Sequence, residues 1–382
     1  MGEYVERAIS LQPLVREYAD ASEAQRHLSK EVADAFSTAG LYRVAAPEDF
    51  YGAAQPPREQ IGVIEAIAYA DGSAAWNVMI GIETFGLIAP GFADCRELIE
   101  DPSVIMASST AAVGKAVRCD GGYRVSGQWQ FCSGVHNASI FGATVRVYDT
   151  PDGKPLGANR YAILPKGDYE ILDTWHTSGI RGSGSHDVRI DDVFVPEARL
   201  IAPIGGSDHA SPLLNFPLGA RLSYNKVAVA WGLARAALDA FVELAAGKTP
   251  RFSSKKLAER SHAQLAIAHG EARFQSGQAL VLQLLDEMWD LVQARAHITS
   301  KQRALFQIAC SDSVAGCIEL VGRLAEAAGT SANMLGHPLE RIYRDVRVVG
   351  QHTTVAPHHI QDAGRVLLGL PAQEMMLAGL RE

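Results

Sequence analysis

Apolar positions change their rhythm twice along this chain. From residue 4 to about 100, Ile9, Leu11, Leu14, Val15 and Tyr18 recur at three- and four-residue steps, the spacing of helices with one apolar face. The stretch REQIGVIEAIAYADGSAAWNVMIGI predicts two more helices, split at Gly72-Ser73 with Ser73 as an N-cap. Between 104 and 200 the runs YRVSGQWQF, IFGATVRVY, RYAILP and DVRIDDVFVP are short, β-branched and aromatic, with Gly, Pro, Asp and Asn between them, and predict strands. Past Pro203 helices return: Ser211 to Ala246, Lys255 to about Leu291, Gln302 to Ala328, and two shorter ones ending near Leu370. In the second of these, Val281, Leu284, Leu285, Met288 and Val292 share one face, the stripe that a bundle helix buries.

The order makes this an α+β chain with three expected domains: an N-terminal helical domain over 1–102, a central β domain over 103–205 and a C-terminal helical bundle over 206–382. With 382 residues, 47% of them hydrophobic, a core of that size is affordable and exceeds one compact domain. A net charge of −8 with scattered Lys and Arg argues against nucleic acid or an anionic membrane as partner. Five Cys residues with no CxxC pair argue against a disulfide framework, and the N-terminus has acidic residues where a signal peptide needs basic ones. The expected setting is the reducing cytoplasm.

Candidate chemistry gathers at four places. In YRVSGQWQFCSGVHNAS, alternation puts Tyr123, Val125, Gly127, Trp129 and Phe131 on one face, and Ser133 joins it if the strand stays extended. That face offers an apolar wall with a hydroxyl at its end, which suits a planar ring. In TSGIRGSGSHDV, three glycines and three serines let main-chain amides approach a ligand; the loop leads into a strand, so it is not a dinucleotide fingerprint. In GSAAWNVMIGIETFG, a helix presents Trp76, Asn77, Met79, Ile80 and Phe85, and His136 and Asn137 add polar groups. Near the C-terminus His352, His358 and His359 lack metal-ligand spacing, so no metal is expected and His352 is the candidate acid–base group.

The helix–β–helix order, GGYRVSGQWQFCSG, TWHTSGIRGSGSHDVRIDDVFVPEARL and the ending HPLERIYRDVRVVGQHTTVAPHHIQDAGRVLLGL together resemble the acyl-CoA dehydrogenase fold, with a central β-barrel-like domain and a four-helix bundle. More closely they resemble its oxygen-using branch, the two-component flavin-dependent monooxygenases that hydroxylate phenols and indoles. The dehydrogenases carry a catalytic Glu after an Arg-Asp pair; here Arg344-Asp345 is followed by VRVVGQHTTVAP, with His352-Thr353 in that place.

The resemblance implies reduced FAD or FMN delivered by a separate NAD(P)H:flavin reductase, O2 as co-substrate and a small aromatic substrate in a cleft between β domain and bundle. It implies oxygen addition at flavin C4a to give a hydroperoxide in a dry pocket. Ser133 is then expected beside flavin N5, with Trp175, Thr177, Ser178, Arg181 and Ser183 around the ring or ribityl chain, next to the Trp129 and Phe131 wall. Trp76, Asn77, Met79, Phe85, His136 and His352 are expected on the substrate side, with His352 accepting the substrate proton. Arg251-Phe252-Ser253 resembles a segment that reaches the flavin phosphate of a neighbouring subunit, which implies a homo-oligomer, a dimer of dimers. Two rival expectations are a dehydrogenase of acyl thioesters and a flavin-free scaffold of the same fold.

Overall fold

The computed structural model describes residues 2–202 and 211–378; the expected domain boundary at 205 lies outside the described residues. In chain order the helices are α1 Glu3–Ser10, α2 Gln12–Gln25, α3 Lys30–Thr38, α4 Pro57–Ala68, α5 Gly72–Ile88, α6 Glu97–Glu100, α7 Leu218–Gly247, α8 Ser261–Gln293, α9 Ser300–Ala328, α10 Pro338–Val349, α11 His358–Leu367 and α12 Met375–Ala378. The strands are β1 Met106–Cys119, β2 Gly122–Trp129, β3 Ile140–Tyr148, β4 Leu156–Pro165, β5 Glu170–Leu172, β6 Asp187–Pro196 and β7 Leu200–Ile201. Two compact units emerge: Met1–Pro56 with Trp76–Thr177 and Arg181–Leu214, and Pro57–Ala75 with Ser178–Ile180 and Asn215–Glu382.

The first unit is built on one seven-stranded sheet in the order β5-β6-β2-β1-β3-β4-β7. Only the β1–β3 pair among these is parallel. Its interior is the apolar face of the sheet, with Val125, Trp129, Phe141, Ala143, Val145, Leu164 and Val188 all at 0% exposure. The Trp129 indole is seated over two glycines: a Cβ at Gly114 or at Gly127 would run into that ring. β1 is longer than anything the alternation foretold, and its register breaks between Ser109 and Gly114, where this packing occurs.

The second unit is helical. α7, α8 and α9 run 30, 33 and 29 residues, and α4 packs along α7. The expected stripe on α8 is buried at Val281, Leu285, Met288 and Val292, with Leu284 at its edge. The apolar helix α9 has the length and composition to cross a membrane, yet most of it is enclosed in this bundle. α7 begins at Leu218, not Ser211, because Pro212 and Pro217 bias the residues ahead of them away from helix. α8 begins at Ser261, after a turn at Leu257–Glu259 that follows the Arg251 segment. The α5 cap also differs from expectation: the helix begins at Gly72, so Ser73 lies inside it, and Asp71 Oδ1 accepts the Ala74 amide at 2.8 Å.

Candidate functional site

In the first unit, β2 ends at Trp129 and the backbone turns over at Phe131, whose φ is +59°. The expected common face therefore does not form. Trp129 is fully enclosed, with its Nε1 donating to the Thr144 carbonyl at 2.9 Å, so it is core and offers no surface to a ligand. Phe131 is 67% exposed and meets the half-buried Trp175 edge-to-face, with centroids 6.2 Å apart.

The bend after Phe131 is stitched to the start of β6. Cys132 N–H donates to the His186 carbonyl and Gly134 N–H to the Ser183 carbonyl, each at 2.9 Å. This stitching brings three hydroxyls into line: Ser133 Oγ lies 2.6 Å from Ser185 Oγ, which lies 2.7 Å from Ser183 Oγ. All three serines are buried. Trp76 Nε1 donates to Ser133 Oγ at 3.1 Å. With that donor in place, Ser133 keeps one lone pair and one proton to divide between Ser185 and a ligand. It can present either a donor or an acceptor, according to which way the chain is polarised.

The helix expected to face substrate contributes differently. Trp76 is committed to Ser133, and Asn77 donates to the Gly182 carbonyl at 3.3 Å, so both brace the Gly-Ser loop. Met79 and Phe85 are at 0% exposure, with the Arg43 guanidinium over the Phe85 ring at 4.7 Å; they are core, because α5 is apolar on every side. His136 and Asn137 turn toward the α2–α3 junction: His136 stacks on His27 at 4.3 Å and Asn137 Nδ2 donates to the Leu28 carbonyl at 2.8 Å. Burial and the nearby His27 and His186 rings push the His136 pKa down to about 4. Arg181 pairs loosely with Glu23 at 3.8 Å, and its buried Nε has no hydrogen-bond partner. Thr177 is half-buried. Ser185 and His186 were legible only as loop residues; the signal was the two-residue step from Ser183 to Ser185, opposite Ser133.

In the second unit, Ser178–Ile180 is clamped by α10. Arg344 Nη1 donates to the Ser178 carbonyl at 2.7 Å, and Asp345 Oδ1 accepts from Ile180 N–H at 2.6 Å. The half-buried His352 follows α10. Thr354 N–H points at its Nδ1 from 3.3 Å, which calls for a lone pair there and a proton on Nε2. Thr354 Oγ1 is 2.9 Å from the same nitrogen. Burial and the nearby Lys226 cation push the His352 pKa down to about 2. The imidazole is therefore neutral at rest with its proton on Nε2, and the lowered pKa makes it a weaker proton acceptor than an exposed histidine. Arg251 lies in the exposed α7–α8 connection with its guanidinium over the Phe252 ring at 4.9 Å, and Phe252 is 95% exposed.

Residues 225–357 match the acyl-CoA dehydrogenase C-terminal domain. The chain is 29% identical over 371 residues to the indole-3-acetate monooxygenase of Acinetobacter baumannii, covering 96% of this chain and 95% of that protein. It is 28% identical to the oxygenase component of the FADH2-dependent resorcinol hydroxylase of Rhizobium sp., covering 92% and 90%. The crystal structure of the 3-HSA hydroxylase from Rhodococcus sp. RHA1 superposes with a TM-score of 0.87 at 26% identity, covering 98% and 99%. The chain has the acyl-CoA dehydrogenase fold and resembles its flavin-dependent monooxygenases. A flavin fits the side chains of the first unit: the exposed Phe131 ring against the half-buried Trp175, a hydroxyl relay ending at Ser133, and the buried, partnerless Nε of Arg181.

Proposed function

We propose that this chain is the oxygenase component of a two-component flavin-dependent monooxygenase acting on a small phenolic or indolic ring. It takes reduced FAD or FMN from a separate reductase and uses O2, with one oxygen atom going to the ring and the other leaving as water. The reduced flavin supplies the two electrons that this balance requires. The observation that carries the reading is the buried Trp76–Ser133–Ser185–Ser183 chain beside the Phe131–Trp175 pair.

Each residue has a defined task. Ser133 meets the polar edge of the flavin ring, as donor or acceptor according to the state of Ser185. Phe131 and Trp175 cover a ring face and exclude water. Thr177, Ser178, Ser183 and Arg181 serve the ribityl chain and polar edge. His352 donates its Nε2–H to oxygen on the substrate or cofactor side, a task open to a neutral imidazole. The active assembly is a homo-oligomer in which Arg251 and the protruding Phe252 reach a second copy.

The test is to supply reductase, flavin, NADH and a panel of phenols and indoles under air, then score oxygenated product against hydrogen peroxide. One ring compound should yield product in near proportion to oxygen consumed. Peroxide alone from every compound rejects the reading, and bleaching of bound oxidised flavin by anaerobic acyl-CoA selects the dehydrogenase instead.

A further inference from the structure

His186 ties together three loops of its unit, using its backbone for one and its ring for the other two. Its carbonyl accepts the Cys132 N–H at 2.9 Å, fixing the bend that carries Ser133. Its Nδ1 accepts the N–H groups of Thr174 and Trp175, both at 3.2 Å. Its Nε2 lies 3.3 Å from the Arg26 carbonyl at the α2–α3 junction. A nitrogen that accepts N–H groups needs a lone pair, so the neutral ring carries its proton on Nε2 and donates it to Arg26. The same Nδ1 is also 3.1 Å from the Leu172 carbonyl. A protonated ring thus finds an acceptor at each nitrogen, and the Trp175 N–H loses the lone pair at Nδ1.

We infer that His186 is a positioning residue: its neutral ring helps hold the Trp175 loop in place to face Phe131, and protonation hands Nδ1 to the Leu172 carbonyl and loosens that loop, which Arg26 Nη1 still holds at the Trp175 carbonyl. The inference rests on the reading of Phe131 and Trp175 as a flavin wall only for its consequence, not for the switch itself. The groups facing the ring agree with a neutral resting form. The His136 ring stands edge-on at 4.9 Å with His27 stacked behind it, and the Arg26 guanidinium adds positive charge. Opposing them, Asp173 lies 3.6 Å from Nδ1, but it is engaged by Arg26 and by His176. Burial outweighs the rest and lowers the His186 pKa. Gly184 presses this arrangement together: at φ +60° it lies so close to His27 that a Cβ would stand 2.9 Å from the His27 Cβ.

Two isosteres separate the ring's two nitrogens. His186→Asn puts an oxygen near the Nδ1 place and cannot titrate; His186→Gln puts its amide near the Nε2 place and removes the acceptor that Nδ1 offers to the Trp175 N–H. Trp175 emission, taken as the difference from a Trp175→Phe protein, is followed from pH 8 to 5 alongside anaerobic titration with reduced FMN. The native protein should show one single-proton transition below pH 6.5 and about tenfold weaker binding beyond it. The Asn protein should show no transition and bind within about twofold of native, and the Gln protein should bind about tenfold more weakly throughout. A native protein without the Trp175 transition, a transition that survives in the Asn protein, or native-like binding by a folded Gln protein overturns the inference. If the native protein binds no flavin at any pH, the functional reading fails, while the emission data still decide the role of His186.

Discussion

The Asp345 carboxylate accepts the backbone N–H of Ile180 at 2.6 Å and thereby holds a β-branched residue at φ +50°. Such residues avoid the left-handed region, so the surroundings must supply what the backbone lacks. Here Arg344 grips the neighbouring Ser178 carbonyl while Glu340 fixes that guanidinium at 2.7 and 2.9 Å. Asp345 is 2% exposed, so its charge-assisted bond is not shared with water. Asp345→Ala should lower stability by about 2–3 kcal/mol and weaken flavin binding, whereas Asp345→Asn, which keeps an acceptor oxygen, should cost about 1 kcal/mol. Denaturant titration of the two proteins reads the difference; equal losses would show that Ile180 does not depend on this acceptor.

The serine chain makes a separate forecast. Ser185→Ala leaves Ser133 with only the Trp76 N–H, so nothing biases its remaining proton. Reduced flavin should bind about five- to tenfold more weakly, while thermal stability changes by about 1 kcal/mol or less. Trp76→Phe should have a similar effect through loss of the Nε1 donor. Fluorescence titration without oxygen measures both, and unchanged affinity in the two proteins would remove the relay from the site.

His352 is expected to act through its N–H. His352→Ala should keep flavin binding within about twofold but lower the ratio of product to oxygen consumed by about tenfold or more, with peroxide making up the balance. His352→Gln, which retains a donor, should recover part of that ratio. Full coupling in the alanine protein would dismiss His352 from the chemistry.

Stability should respond to pH on two sides. Burial raises the Glu65 pKa to about 7, with Gln278 Nε2 donating to it from 3.2 Å. The folded state keeps this proton where the unfolded chain has lost it, so the stabilisation is complete below the ordinary carboxyl range and is lost as pH rises through about 7. For His136 the shift is downward, to about 4, so its contribution is present above pH 6.5 and is lost as pH falls toward 4. Glu65→Gln should therefore raise stability at pH 8 by about 1–2 kcal/mol and leave pH 5 unchanged. Melting curves across pH 4 to 9 test the pair of slopes.

Alternation and composition made much of the fold legible. The runs IFGATVRVY and DVRIDDVFVP became β3 and β6 with the same ends, since β-branched residues on a half-buried strand leave little ambiguity. β1 stayed hidden because MASSTAAVGKAVRC is rich in small and polar residues, with Gly114 admitting the Trp129 indole. The wall itself was misread at one residue: periodicity carries Trp129 and Phe131 to one side only if the backbone stays extended, and φ at Phe131 reverses that. Ser133 and Ser185 are 52 positions apart, and only the β2–β6 register puts them in contact, which no local pattern records. His352 was visible as a titratable residue, but its protonation state is set by burial first and by Lys226 second, and its tautomer by Thr354, all of which packing supplies.

The indole of Trp129 occupies the room left by the absent side chains at Gly114 and Gly127. These sites are thus epistatic: alanine at Gly114 should be poorly tolerated beside tryptophan and far better beside a smaller partner such as leucine, whereas alanine at Gly127 also meets the Gly114 backbone. Laboratory evolution of the β unit should therefore change them jointly or leave them alone.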